Sequence, residues 1–298
     1  VKKFEQGLNG ELFKEEILKT NKDKKFEVKQ FFLPFPRLDL RLGWAATENS
    51  KRAHYLEIVD DKVIVISGLG QTIYFDKKNI NEKELKQKEI SNNINEYLDT
   101  KKYNLIGIRD LFYDDGYIYI SLQHKDINGY TINIFRSELK FNRLEFKPFF
   151  ITNEYWETYN VFSGGRIESF DKNRILFSIG FAKNYQAPQD KKSFLGKIIS
   201  INKLTKDFKI VSYGHRNPQG LFYLKNKKII INTEHGPFGG DEVNLNFIED
   251  QTKDKNYGWP ISSTGKPYPN ETEIFEKNNW LIKSHKENGF LEPLKSYS

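Results

Sequence analysis

The stretch Asp114-Asp115-Gly116-Tyr117-Ile118-Tyr119-Ile120-Ser121-Leu122 sets a turn of the kind Asp and Gly favour directly before a short run of β-branched and aromatic residues. The same order returns at Asp171-Lys172-Asn173 before Arg174 to Ile179, and at Lys225-Asn226-Lys227 before Lys228 to Asn232. The spacing is about 50 residues, the period expected of four-stranded blades. Further β-rich runs lie at Tyr55 to Val59, Lys62 to Ser67, Thr72 to Phe75, Thr131 to Arg136, Lys197 to Ile201 and Phe208 to Ser212. Helical spacing is scarce. A meander of short hairpins without crossover helices is an all-β protein, with sandwich, barrel and propeller all open at this point.

Two segments stand apart. Residues 1 to 25 read as a polar lead-in with helical spacing through Leu8, Leu12, Phe13, Ile17 and Leu18. Asn79 to Lys101 is charged and Asn-rich, an insertion with a short helix. Residues 26 to 298 are otherwise expected to form a single domain, since β-structures of this size commonly do.

The chain of 298 residues is 38% hydrophobic, 15% aromatic and 29% charged, and no apolar run approaches membrane-span length. The formal charge of +7 comes from Lys, 38 against 9 Arg, scattered along the chain with no nucleic-acid-binding signature. Nucleic acid is not an expected partner. Without cysteine there are no disulfides, thiol nucleophiles or thiolate metal sites. The first 25 residues lack the apolar core of a secretory leader and read as a mature, processed start.

The unusual residues cluster in three pieces: Gly214-His215-Arg216-Asn217-Pro218-Gln219-Gly220, then Thr233-Glu234-His235-Gly236-Pro237-Phe238-Gly239-Gly240-Asp241-Glu242, then Asn256-Tyr257-Gly258-Trp259-Pro260. Arg216 is one of few Arg residues in a Lys-rich chain, and it offers a planar five-donor fork. Glycines in the second piece let backbone carbonyls face a ligand, and Asp241 and Glu242 are hard oxygen donors of the kind calcium takes. Taken singly, these residues are ordinary loop ties.

Taken together, they resemble the motifs of the soluble quinoprotein glucose/sorbosone dehydrogenase family, in particular its aldose sugar dehydrogenases. Asp110-Leu111 with Tyr117 to Leu122, Gly164-Gly165-Arg166-Ile167 and Gly196 to Ile201 extend the likeness over about residues 105 to 260. The resemblance implies a six-bladed β-propeller of four-stranded antiparallel blades, holding pyrroloquinoline quinone (PQQ) against Ca2+, and an extracytoplasmic, periplasmic setting. It also implies that relatives continue through another blade or so beyond the position of Ser298. The implied reaction is oxidation of a sugar at its anomeric carbon, with hydride passing to the quinone. By the same likeness Arg216 and Asn217 stand beside the quinone as catalytic and cofactor-binding residues. Gly236 and Pro237 lend carbonyls to its calcium, and Glu242 with the Tyr257 carbonyl holds a separate structural calcium.

One departure is chemical. The family's proton-accepting His lies just before the Gly-Gly-Arg motif, and here Phe162 stands in that place. A Gln or Glu expected before Asp110 is replaced by Leu105 or Ile106. His215 and His235, which belong to the loop framework in the family, are the candidates for a substitute base. The rival readings are a non-catalytic propeller that binds a protein or carbohydrate partner, which Phe162 favours, and a calcium-dependent lactonase or esterase, for which the carboxylates are too few.

Overall fold

The hairpin turns form where Asp and Gly supply left-handed backbone: φ is 53° at Asp60, 48° at Asp115 and 80° at Gly116. The turn at Asp60 joins two of the β-rich runs read from the sequence, and the turn at Asp115 and Gly116 leads into the run from Tyr117. The computed structural model describes residues 10–19, 25–32, 53–250, 254–280 and 285–297. The chain is mostly strand, in antiparallel sheets that are chiefly four-stranded. Among the described residues there are two α-helices, Ile94–Lys101 and Thr272–Asn278. The described residues divide into two compact units, one within 1–119 and 136–147, the other within 120–135 and 148–298.

The first unit carries a five-stranded sheet in the order Arg143–Leu144, Lys88–Asn92, Thr72–Asp76, Lys62–Ser67, His54–Val59. Its core is Val63, Val65, Ile73, Phe75 and Leu85, with Phe31 packed against it. The helical reading of the lead-in is overturned. Gly10–Lys19 is a strand paired antiparallel with Lys25–Phe32, with Glu15 opposite Lys29 and Ile17 opposite Glu27. The apolar residues of the lead-in come as adjacent pairs, a spacing that a strand accommodates as readily as a helix. Pairing with the β-prone Lys25–Phe32 then decides the matter. Leu8 lies outside the described residues. In the segment 79 to 101 the expected helix is present at Ile94–Lys101, closed by Lys102 at φ 57°. The same segment also supplies the strand Lys88–Asn92, which pairs with Thr72–Asp76 and buries Ile90.

The second unit contains two complete four-stranded sheets. One runs Gly164–Ser169, Arg174–Ile179, Lys197–Asn202, Phe208–Tyr213; the other runs Pro218–Leu224, Ile229–Glu234, Asp241–Phe247, Lys295–Tyr297. Leu176, Ile198 and Ile230 pack together with Val211, Leu221 and Tyr223, so the two sheets share an apolar core. Their edges also touch through polar atoms: Ser178 Oγ donates to the Pro218 carbonyl at 2.9 Å, and the Gly164 N–H donates to Asn217 Oδ1 at 3.2 Å. Gly180 is required here, because a Cβ on it would lie 2.2 Å from the Phe162 carbonyl oxygen.

Within this unit His124 is buried and accepts a hydrogen bond from Asn133 Nδ2 at 3.1 Å, which suits a neutral ring. Burial pushes its pKa down from 6.5 to about 4, against a small opposing effect of Asp126. The unfolded chain therefore takes up this proton below about pH 6.5 and the folded chain only near pH 4, so stability falls as pH drops through that window. The loss reaches about 3 kcal/mol. Urea unfolding at pH 7 and pH 4.5 should give a clearly smaller loss for His124→Gln than for the wild type. Equal losses would mean that the ring titrates normally.

Candidate functional site

The three sequence pieces meet in the second unit, and a buried carboxylate joins them. In the strand pair Ile229–Glu234 and Asp241–Phe247, Glu234 lies opposite Glu242 and Asn232 opposite Asn244. The inward face of Asp241–Phe247 is polar, with Glu242, Asn244 and Asn246 buried. Glu234 Oε1 accepts from His215 Nδ1 at 2.8 Å, Asn244 Nδ2 at 2.8 Å and Asn232 Nδ2 at 3.3 Å, while Oε2 accepts the Arg216 backbone N–H at 2.7 Å. Burial by itself would raise the Glu234 pKa, but His215 and these donors hold it below the ordinary carboxylate range.

His215 continues the connection. Ser212 Oγ lies 2.8 Å from its Nε2, and the ring stacks on Tyr257 with centroids 4.7 Å apart. The third piece is laid alongside the first by backbone bonds: Tyr257 N–H to the Tyr213 carbonyl at 2.8 Å, and Trp259 N–H to the Gly214 carbonyl at 2.9 Å. Gly214 has φ 74°, and a Cβ there would come within 2.2 Å of Asn256 Oδ1, so only glycine permits this approach. Gln189 secures the far side, donating to the Trp259 carbonyl at 2.7 Å and accepting from Asn256 Nδ2 at 2.8 Å. Its segment is anchored by the buried Lys197, whose Nζ donates to the carbonyls of Ala187, Pro188 and Leu195 at 2.8 to 3.0 Å. Burial pushes the Lys197 pKa down to about 8.

Arg216 is the centre of the arrangement and is only 2% exposed. Its Nη1 donates to the His235 carbonyl at 3.0 Å, whereas Nε and Nη2 are buried without a hydrogen-bond partner. Aromatic rings surround the guanidinium carbon: Phe162 at 4.8 Å, Trp259 at 5.2 Å, Phe181 at 5.6 Å and Tyr268 at 5.7 Å. Cation–π attraction compensates part of the lost hydration. Burial lowers the Arg216 pKa from its usual value, with Tyr268, Glu271 and Tyr185 opposing. Behind the rings, the Tyr185 hydroxyl donates to Glu271 at 2.5 Å.

Phe162 is thus beside Arg216, in contact also with Phe181 at 5.5 Å between centroids. Its backbone is fixed by Asn160 Oδ1, which accepts the Phe162 N–H at 3.1 Å, and by the Ala182 N–H, which donates to the Phe162 carbonyl at 2.9 Å. Asn217 is buried, and its carbonyl accepts the His235 N–H at 3.2 Å. In the second piece, Asp241 Oδ1 accepts the Gly236 N–H at 2.9 Å and Oδ2 lies 3.3 Å from Nδ1 of the exposed His235. Among the described residues no backbone N–H donates to the carbonyl of Gly236 or Pro237. Glu242 and Tyr257 line one small cavity together with Glu234, Arg216, Gly236, Ser262 and Ser263.

The structure therefore brings Arg216, Asn217, Gly236, Pro237, Glu242 and Tyr257 into one unit, and His215 and His235 with them. Leu105 and Ile106 are buried in the other unit, on the strand Asn104–Asp114. Sequence reasoning quoted Glu234 without giving it a role and overlooked Ser262, His285 and the aromatic rings around Arg216. Glu234 could have been found from its alternation with Asn232 on a strand otherwise made of Ile and Thr. His285, far from the three pieces along the chain, carries no local signal.

The family model described as Glucose / Sorbosone dehydrogenase matches residues 104–297. The chain belongs to the glucose/sorbosone dehydrogenase family. Within that family it is 37% identical over 120 residues to the aldose sugar dehydrogenase YliI of Escherichia coli strain K12, a match covering 35% of this chain and 30% of that one. It is 32% identical over 117 residues to quinoprotein glucose dehydrogenase B of Acinetobacter calcoaceticus, covering 34% and 23% respectively. The chain thus spans less than a third of the length of either relative. Its fold is like that of the PQQ-bound aldose sugar dehydrogenase from Streptomyces coelicolor, with a TM-score of 0.56 at 19% identity over 82% of this chain and 67% of that one.

Removing the Glu234 carboxylate leaves the buried His215 ring, the Arg216 N–H and two Asn amides without their acceptor. Glu234→Ala should lower the unfolding free energy by about 3 to 5 kcal/mol, the cost of breaking a buried charged network from one side. Asp241→Ala, at a half-exposed carboxylate that also accepts the Gly236 N–H, should cost clearly less than Glu234→Ala. Chemical denaturation of the two variants checks this, and equal losses would remove Glu234 from its central place.

Proposed function

We propose that the chain is a quinone-dependent sugar dehydrogenase-like protein of this family, a six-bladed propeller acting on aldoses outside the cytoplasm, in which oxidation is slow because the proton acceptor is missing. The observation that carries this reading is Arg216, whose buried Nε and Nη2 lack partners within a box of aromatic rings. Two unmet guanidinium donors against flat apolar walls fit a planar, anionic, oxygen-bearing group, and PQQ is such a group. The carbonyls of Gly236 and Pro237 fit its calcium, since the backbone leaves both without N–H donors among the described residues. A quinone held there would supply the hydride acceptor for sugar oxidation.

The chain's own residues supply the rest. Arg216 would bind a developing oxyanion with its free N–H groups, and Glu234 holds the Arg216 backbone so that these groups need no reorganisation. Asn217 keeps the Gly164 turn, and with it Phe162, against the same pocket. What the arrangement lacks is a base next to Arg216. Phe162 cannot accept a proton, and it contributes only its ring face to the guanidinium.

The second reading, a binding propeller without chemistry, rests on the same contact. With Phe162 over it, Arg216 is almost fully covered, so a ligand reaches the two free donors only if that ring moves.

Loaded with quinone and calcium, the wild type should oxidise aldoses about a hundredfold to ten-thousandfold more slowly than Phe162→His, the usual worth of a positioned general base. Quinone binding, followed by its absorbance, should be similar in the two. Rapid oxidation by the wild type would show that another residue accepts the proton. Failure of both proteins to bind quinone, with binding gained by Phe162→Ala, would decide for the sealed pocket and the binding reading.

A further inference from the structure

Two cations meet at the Phe162 ring. The Arg216 guanidinium carbon lies 4.8 Å from the ring centroid within the pocket, and Nζ of the exposed Lys183 lies 5.7 Å from it. Like charges gathered at one ring repel each other, and attraction to the ring offsets only part of that. Among the described residues neither cation forms an ion pair with a carboxylate. Glu271 acts on Arg216 through space, but its Oε1 takes the Tyr185 hydroxyl and it bonds to neither cation.

The backbone under Lys183 is unusual. Ala182 has φ 49° and Lys183 φ 59°, two successive residues in the left-handed region that residues with a Cβ seldom adopt. The turn is tied to both partners of the ring contact. The Phe181 N–H donates to the Arg216 carbonyl at 2.8 Å, and the Ala182 N–H donates to the Phe162 carbonyl at 2.9 Å. Asn160 Nδ2 donates to the Ala182 carbonyl at 3.0 Å, and the Asn184 N–H closes the turn on the Phe181 carbonyl at 2.8 Å. The base of Lys183 is therefore fixed relative to Phe162 and Arg216. A lysine with no role beyond solubility needs neither a left-handed turn nor these ties, and backbone of this kind persists where the direction of a side chain matters.

We propose that Lys183 is a specificity-determining residue that receives the anionic group of an acidic sugar, a carboxylate or a phosphate, at the rim of the Arg216 pocket. The proposal rests on the reading of this pocket as a sugar site and narrows the substrate from aldoses in general to acidic ones. A neutral sugar leaves the repulsion between Lys183 and Arg216 in place, whereas an anion at the rim relieves it. An ammonium on a flexible stem serves as a point charge for carboxylate and phosphate alike, so the class named is the one the two share. Because Lys183 is exposed, it meets the ligand before the buried Arg216 does and attracts it from solution.

The test is calorimetric titration of the whole chain, with and without quinone and calcium, using glucose, glucuronate, glucose 6-phosphate and inorganic phosphate as probes. At low salt one or both acidic sugars should bind at least about tenfold tighter than glucose, and raised salt should shrink the difference. Whichever of the two binds tighter tells carboxylate from phosphate. Lys183→Gln should remove at least about fivefold of the preference, and Lys183→Arg, which keeps the charge, should restore it. Should Lys183→Gln fold poorly, Lys183→Arg and the salt dependence of the wild type decide. Equal binding of neutral and acidic sugars, or no binding of any sugar, would overturn the proposal. So would inorganic phosphate binding as tightly as glucose 6-phosphate, or a Lys183→Gln loss confined to quinone binding, which would assign the ammonium to a free anion or to the cofactor. Quinone binding is read separately by absorbance: a chain that takes quinone but treats glucose and glucuronate alike refutes this proposal only, and one that prefers acidic sugars but refuses quinone refutes only the quinone reading.

Discussion

Burying one carboxylate organises this protein's second unit. Glu234 carries its negative charge into the protein interior, and that is tolerable only with hydrogen-bond donors around it. Meeting the requirement fixes the His215 ring, the Arg216 backbone and two asparagines on neighbouring strands at once. His215 then orients Tyr257 by stacking, and the chain beyond Tyr257 runs beside Gly214. Three segments separated along the sequence become one rigid piece because a single charge has to be satisfied.

Arg216 shows the opposite treatment of charge. Rings pack around its guanidinium, and two of its N–H groups are unmet. A buried cation in that condition is costly in the free protein and strongly attracted to any anion that reaches it. Phe162 helps fill the box and keep the guanidinium desolvated, and its ring offers no proton acceptor.

The sequence made the hairpins legible because their turns needed Asp, Asn and Gly, and because runs such as Ile175 to Ile179 alternate little and bury fully. It hid Asp241–Phe247, where the buried face is Glu242, Asn244 and Asn246 and the apolar residues point partly outward. Period-two reasoning assumes that the inside is apolar, and here it is not. The lead-in misled for a different reason, since pairing with Lys25–Phe32 outweighed local spacing. At the site, residues within motifs were readable and the long-range partner His285 was not. Its place depends on how the chain returns after Thr272–Asn278, a tertiary matter that no local pattern encodes.

The sheet that carries Glu234 and Glu242 takes its fourth strand, Lys295–Tyr297, from far downstream of Asp241–Phe247. Contacts of such long sequence separation form late, since the intervening chain must first be ordered. During synthesis, the residues from Asp241 to Val243 thus emerge with one edge unpaired and wait for Lys295–Tyr297. A nascent chain in that interval exposes a free β edge, the kind of surface that chaperones cover and that neighbouring copies can extend.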